Sequence, residues 1–295
     1  MTCVRRPVCV IGVFDGVHRG HRFIIDQARS DARARGVPVE IVTFSIDPDE
    51  LFAAGRLRKI MSNEQRLEVL EDSGVDAVRV LPFTEAFAAL PPEAFLRDVL
   101  EREMPTSIHV GSDFRFGAQA AGTVADLAAW ASEHGAVLFA HDLMEQAGAP
   151  VTSTRIRALL GQGRIEDAEA LLGHPYTVEG TVVHGREAGR AMGIRTANLF
   201  LPERLQVLAD GVYAAVALIE DKRYKAAVSV GLPPTFVDEA EANMEAHVLD
   251  FEGDLYGKRI TLAFVHRLRD MQRFDDTDSL IAAINGDIAW VREHL

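Results

Sequence analysis

Apolar positions in the first half of the chain switch repeatedly between strand-like runs and helical spacing. "PVCVIGVF" (7–14) reads as a strand, "HRFIIDQARSDARARG" (21–36) as a helix, and "VPVEIVTF" (37–44) as a strand. "SNEQRLEVLEDSG" (62–74) reads as a helix with Ser62 as N-cap, "VDAVRVLPF" (75–83) as a strand, and "PPEAFLRDVLEREM" (91–104) as a helix opened by proline. "TSIHVG" (106–111) is a short strand, "TVADLAAWASEHG" (123–135) a helix closed by Gly135, and "AVLFAHDL" (136–143) a strand. "TSTRIRALLGQG" and "RIEDAEALLG" are two helices parted by a glycine turn. Strands alternating with helices predict right-handed crossovers and a parallel sheet with flanking helices, an α/β architecture.

The pattern changes near Gly173. After "HPYTVEGTVVHG" (174–185) come short β-like segments: "GVYAAVALIED" (211–221), "KRYKAAVSVG" (222–231), "NMEAHVLDF" (243–251) and "KRITLAFVHRL" (258–268). One helix, "TDSLIAAINGDIAWVREHL", closes the chain. Such spacing predicts an antiparallel barrel or sandwich with a terminal helix. The 295 residues exceed one average core, so two domains are expected, 1–172 and 173–295.

Composition narrows the classes. The 48% hydrophobic and 25% charged content is that of an ordinary globular protein. A formal net charge of −13 argues against a large nucleic-acid interface while leaving room for a local basic site. No apolar run reaches the roughly 18–20 residues that span a bilayer, so no membrane role is expected. Cys3 and Cys9 have no companions at zinc spacing and read as reduced bystanders. A cytoplasmic enzyme is the default expectation. The sequence leaves self-association into a homo-oligomer open.

The candidate chemistry starts at "VCVIGVFDGVHRGHRFII" (8–25). A strand that ends in glycines and turns into a helix suits a phosphate. Glycine lets the backbone approach, and the unpaired N–H groups at the helix start attract anions. Gly12, Phe14, Asp15 and Gly16 make up this turn. It is neither a GxGxxG fingerprint nor a P-loop. Instead the helix start carries His18 and His21 around Gly20, two imidazoles able to face one phosphate and donate to charge that builds on it. A solvated turn is the plain alternative, and a metal held by this pair lacks a third ligand at usual spacing.

"GVFDGVHRGH" resembles the signature of the bacterial bifunctional FAD synthetases, which join an FMN adenylyltransferase to a riboflavin kinase. "VGSDFRFG" (110–117), "VTSTRIRALL" (151–160), "VVHGREAGRAMGIRTANL" (182–199) and "EAHVLDFEGDLYG" (245–257) are similar to further segments of that family, in family order over nearly the whole chain. The resemblance implies a nucleotidyltransferase-type parallel sheet followed by a riboflavin-kinase-like barrel. It implies two reactions: riboflavin plus ATP to FMN, then FMN plus ATP to FAD and pyrophosphate.

By that resemblance His18 and His21 contact the ATP phosphates, together with Ser153, Thr154, Arg155 and Arg157. Hydroxyls, guanidinium groups and a helix start suit a triphosphate. Asp113, Phe114 and Phe116 are implied to line the flavin or nucleotide pocket; buried core aromatics are the alternative. In the second half the resemblance makes Thr196 and Asn198 ligands for Mg²⁺, Glu245 the general base, and Gly185, Gly189 and Gly193 a loop that closes over phosphates. Glu245 read from strand alternation alone is equally a solvated position.

Five positions depart from the family's usual residues, one of them Ile46, which stands where proline is usual. Asp47 in "TFSIDPDE" stands where histidine is usual, bringing a carboxylate that needs neutralising near a phosphate. Arg195 replaces a proline before Thr196, which frees the backbone there. Ser229 stands where asparagine is common and Met271 where a carboxylate is common. These raise two alternatives to a fully bifunctional enzyme: only the adenylyltransferase works and the barrel binds flavin or oligomerises, or both activities are lost and a flavin-binding regulator remains.

Overall fold

The computed structural model describes residues 6–52, 58–185, 195–202, 204–231 and 244–295. It divides into two compact units, Met1–Ser153 and Thr154–Leu295.

The first unit opens with β1 (Val8–Ile11), α1 (Arg19–Arg35), β2 (Val39–Phe44), a short α2 (Pro48–Phe52), α3 (Asn63–Glu71) and β3 (Ala77–Leu81). It continues with α4 (Glu85–Ala88), α5 (Pro92–Leu96), β4 (Ser107–Gly111), α6 (Val124–Glu133) and β5 (Val137–His141). A small hairpin of β6 (Glu145–Gln146) and β7 (Ala149–Pro150) follows. The five main strands form one parallel sheet in the order β3-β2-β1-β4-β5. Ser62 caps α3 in a full capping box with Gln65, as its sequence predicts.

Period-two alternation in the central strands feeds two cores. Val8, Val10, Val39 and Ile41 pack under α1 against Ile25, Ala28 and Ala32. Cys9, Ile11, Val42, Ile108 and Val110 face the opposite layer, with Phe95, Leu100, Leu127 and Trp130. Helices therefore cover both faces of the sheet. The chain leaves β1 toward β2 and β3, then crosses back to place β4 on the other side of β1. Neighbouring loops diverge at that reversal, and the crevice beyond the carboxyl ends of the strands is where such sheets hold ligands.

The second unit begins inside α7 (Ser153–Gly161) and continues through α8 (Ile165–Leu172), β8 (Tyr176–Val183), β9 (Ala197–Phe200), β10 (Gly211–Ile219) and β11 (Lys222–Val230). It ends with β12 (Met244–Val248), β13 (Arg259–Arg269) and α9 (Thr277–His294). Six antiparallel strands close into a barrel in the order β10-β11-β12-β9-β8-β13. α9 lies on it through Val291, Ile288 and Trp290, and the buried Asp287 takes Arg269 at 2.9 Å. The expected α/β sheet and barrel are both present. The local pattern changes at Gly173, whereas the compact units divide earlier, because α8 packs against β8 and β13 of the barrel.

Candidate functional site

The loop after β1 is built from close approaches. Phe14 adopts a left-handed conformation (φ 62°), and its ring covers Gly12 so tightly that a Cβ there would meet it at 2.9 Å. The same ring packs edge-on against His21, with centroids 5.3 Å apart. Asp15–Val17 forms a 3-10 turn, and His18 then acts as N-cap of α1, its Nδ1 accepting the His21 N–H at 3.3 Å. The two imidazoles stack at 3.6 Å and 16°.

This cap has a chemical consequence. Because His18 Nδ1 is an acceptor, its hydrogen sits on Nε2, which is then a donor. Burial, reinforced by His18, pushes the His21 pKa well below its ordinary value, so His21 is neutral near pH 7. Its Nδ1 is buried with no hydrogen-bond partner in the protein. A polar atom so placed at a helix start suits a bound ligand.

His18 and His21 line a cavity of about 240 Å³ at the sheet's reversal point, with Gly12, Phe14, Asp113, Phe114 and Ser153. Ser153, the first residue of α7, donates to the Asp15 carbonyl at 2.9 Å, tying that helix start to the histidine turn. Thr154, Arg155 and Arg157 follow in the same helix, within the second unit, where Arg157 donates to Thr154 Oγ1 at 3.3 Å.

Three expected residues sit elsewhere. The buried Asp15 carboxylate accepts from the Ile60 N–H at 3.0 and 3.3 Å, so it braces the turn from behind. Gly16 is buried in the 3-10 turn against Ile60. Phe116, 4% exposed, packs on Phe95 in the core, while Phe114 reaches the cavity. The sequence reading missed Gly111 at the end of β4, His141 at the end of β5, and Asp142, Val151 and Thr152. Their one signal is position: each lies at or beyond a strand end.

The Asp47 carboxylate does not stand alone. Arg66, 2% exposed, has Asp15, Asp47 and Glu50 as its neighbouring anions. Burial lowers the Arg66 pKa, and those carboxylates oppose the shift. Its guanidinium donates to Val13 O at 2.8 Å, Thr43 Oγ1 at 2.7 Å and Phe44 O at 2.6 Å. It therefore clamps the carboxyl ends of β1 and β2.

In the second unit, barrel register assembles a row. Glu245 on β12 lies opposite Ser229 on β11 and Asn198 on β9, so the three side chains share a face. Thr196, two residues before Asn198, donates to Glu245 Oε1 at 2.7 Å. Gly185 presses on this row: a Cβ there would lie 2.1 Å from Asn198 Nδ2. Thr196 also borders a cavity of about 310 Å³ with Arg195, Ala197, Phe251, Asp254 and Tyr256. Gly189 and Gly193 lie outside the described residues.

Two of the unusual residues meet, Ser229 Oγ lying 3.7 Å from Met271 Sδ. Arg195 keeps its backbone anchored without proline, because its carbonyl bonds to His247 Nδ1 at 2.8 Å.

Among the described residues no group of three or more histidine, cysteine or carboxylate side chains could hold a metal, and no helix is long and apolar enough to cross a membrane. The Thr196 hydroxyl and the Asn198 amide offer oxygen ligands of the kind a hard cation takes.

Residues 2–155 match the FAD synthetase family and residues 172–295 the riboflavin kinase family. The chain is similar to the bifunctional riboflavin kinase/FMN adenylyltransferase of Escherichia coli (strain K12), 37% identical over 97% of this chain and 92% of that protein. The enzyme of the same description from Pseudomonas fluorescens is 34% identical over 98% and 93%. A crystal structure described as a macrolide-efflux protein from Streptococcus pneumoniae is 31% identical, with a TM-score of 0.86 over 98% of this chain and 94% of that one. The architecture of both units is thus shared along the whole length. With both domains matched in order and close relatives along nearly the full chain, this protein belongs to the bifunctional riboflavin kinase/FMN adenylyltransferase family.

Proposed function

We propose that this chain makes FAD from riboflavin in two ATP-dependent steps at two sites, residues 1–172 serving as the adenylyltransferase domain and 173–295 as the kinase domain. The family matches, to residue 155 and from residue 172, support that division. A single observation carries the first site: two stacked imidazoles at the start of α1, facing a cavity at the sheet's reversal point.

In adenylyl transfer an oxygen of the FMN phosphate attacks the α-phosphorus of ATP, and pyrophosphate leaves in line. His18 donates from Nε2 and His21 as a neutral ring, so both stabilise the polyphosphate by hydrogen bonds as charge develops. The α1 N-terminus adds its unpaired N–H groups. Ser153 supplies a hydroxyl to this cavity, and Thr154, Arg155 and Arg157 carry the hydroxyl and guanidinium groups that the family resemblance assigns to ATP. Gly12 and Phe14 shape the wall, and Asp113 and Phe114 take the remainder of a nucleotide.

In the kinase domain Glu245 accepts the proton of the riboflavin 5′-hydroxyl as its oxygen attacks the γ-phosphorus and ADP leaves. Thr196 gives its hydroxyl hydrogen to Glu245, which turns its oxygen lone pairs outward. Thr196 and Asn198 would hold Mg²⁺, which supplies charge neutralisation for the phosphates. Gly185 keeps Asn198 in place.

The test supplies purified protein with Mg·ATP and either riboflavin or FMN. His18→Ala and His21→Ala each lower FAD formation from FMN by about 10²–10³-fold, the worth of a transition-state donor, with riboflavin phosphorylation retained. Glu245→Gln does the reverse. FAD from FMN with no FMN from riboflavin in the unaltered protein would leave only the adenylyltransferase.

A further inference from the structure

Behind the first cavity lies a chain of side chains that adenylyl transfer, as described, does not use. β4 and β5 run in parallel register, with Gly111 opposite His141 and His109 opposite Phe139. His109 Nδ1 lies 2.9 Å from His141 Nε2. His109 Nε2 lies 3.4 Å from Asp31 Oδ2 on α1. Asp31 also accepts from Ser107 Oγ, and from Arg35 Nε at 2.8 Å. The buried His109 ring stacks on Phe139 with centroids 4.7 Å apart, while the His141 ring meets it through the nitrogen contact, its centroid 5.1 Å away. His141 itself lines the cavity that His18 and His21 line.

The order of hydrogens along this chain follows from its carboxylate end. Burial would raise the Asp31 pKa, but hydrogen bonds from Ser107, Arg35 and His109 outweigh it and hold the group below its ordinary value. An ionised carboxylate only accepts, so His109 Nε2 carries a hydrogen. Burial, against the pull of Asp31, depresses His109 to about 4. Near pH 7 that ring therefore has a single N–H, and its Nδ1 is a lone pair. His141 must then donate from Nε2. Burial lowers His141 as well, so it too is neutral and its Nδ1 is left as an acceptor.

We propose that His141 is a substrate-contacting residue of the first cavity, set by His109 and Asp31 to accept at Nδ1 a hydrogen bond from an uncharged N–H or O–H group of a nucleotide. The proposal rests on the assignment of that cavity to adenylyl transfer. A lone pair repels phosphate oxygens, so the cavity divides by chemistry. The histidine pair and the α1 N-terminus take the anionic portion. The β4–β5 wall, where Asp113 and Asp142 add further acceptors, takes the base or sugar. His109 and Asp31 act through His141 and are positioning residues.

The test uses the full chain. His141→Phe removes the acceptor, and His141→Asn restores an amide oxygen near the Nδ1 position. In a Trp290→Phe background, the emission of the buried Trp130 checks that the first unit stays folded. KM for ATP and for FMN in FAD formation identifies which substrate supplies the donor. His141→Phe raises one KM roughly fivefold to tenfold, the worth of one neutral hydrogen bond, and His141→Asn recovers most of it. If ATP is affected, the triphosphates of purine riboside, 2′-deoxyadenosine and 3′-deoxyadenosine separate the amino group from the two hydroxyls. The analogue lacking the contacted donor is used equally by both proteins. Nitrogen-15 shifts of the unaltered protein place the His141 hydrogen on Nε2, and Asp31→Asn moves it to Nδ1 and raises the same KM. Unchanged KM values for both substrates in His141→Phe, or an Nδ1-bound hydrogen in the unaltered protein, would overturn the proposal. An inactive His18→Ala beside an unaffected His141→Phe sinks this inference alone, whereas a fully active His18→Ala sinks the cavity assignment beneath it.

Discussion

Replacing Arg66 by methionine tests whether a buried cation holds the mouth of the first site together. The substitution keeps an unbranched apolar stem and deletes the guanidinium. Two backbone carbonyls, Val13 O and Phe44 O, lose donors at 2.8 and 2.6 Å. Thr43 Oγ1 loses one at 2.7 Å but can turn its own hydroxyl toward Val13 O, already 3.4 Å away. Each stranded buried acceptor costs about 1–3 kcal/mol, so the two carbonyls give about 2–6 kcal/mol. Asp15 and Asp47 lose their facing cation, while Glu50 keeps Lys59 at 3.2 Å. Against a domain stability of about 5–15 kcal/mol, that is a large fraction. The chain has two tryptophans, so in a Trp290→Phe background the urea-induced change in Trp130 emission reports on the first unit. FAD formation falls with the stability, because Val13 precedes the Phe14 that packs on His21. Riboflavin phosphorylation persists, and Arg66→Lys, with fewer donors, is intermediate. A loss below about 1 kcal/mol with normal FAD formation would refute the reasoning.

Gly185→Ala places a Cβ into the Asn198 amide and displaces it. Riboflavin phosphorylation drops by about tenfold or more, and FAD formation from supplied FMN is unchanged; normal phosphorylation would remove Asn198 from the kinase site. Acidification from pH 7 to 5 destabilises the first unit. Burial lowers His21, His109 and His141 from the ordinary value of 6.5. The unfolded chain therefore binds more protons below that value, and stability present above it is lost as pH falls. His109 alone contributes about 1–2 kcal/mol at pH 5. A His109→Phe variant flattens the dependence, and a urea midpoint that stays constant between those pH values would contradict it.

Much of the fold was legible because its signals are local. The apolar runs and helical spacings of the first half correspond to β1, α1, β2, α3 and their successors, and the Ser62 cap needs only a Gln three residues on. The His18–His21 turn was readable for the same reason. Phe114 and Phe116 were not separable by sequence, since two residues of one loop differ only in whether they face the cavity or Phe95. The Asp15 carboxylate accepts from the Ile60 N–H, 45 residues away, a contact that no local pattern announces.

Along the chain alone, hydrophobic period and turn chemistry determined the alternating strands and helices of the first half, the β-rich second half and the imidazole pair, because each arises from neighbours within a few residues; the choice of a barrel over a sandwich came from the family resemblance, and long-range strand pairing closes it. Tertiary structure decided the rest. It matched Arg66 to Asp47, set Ser229 against Met271, anchored Arg195 on His247 and joined His141 to Asp31 through His109. Those contacts link residues far apart in sequence, and their charge, burial and tautomer exist only once separate strands lie side by side in register.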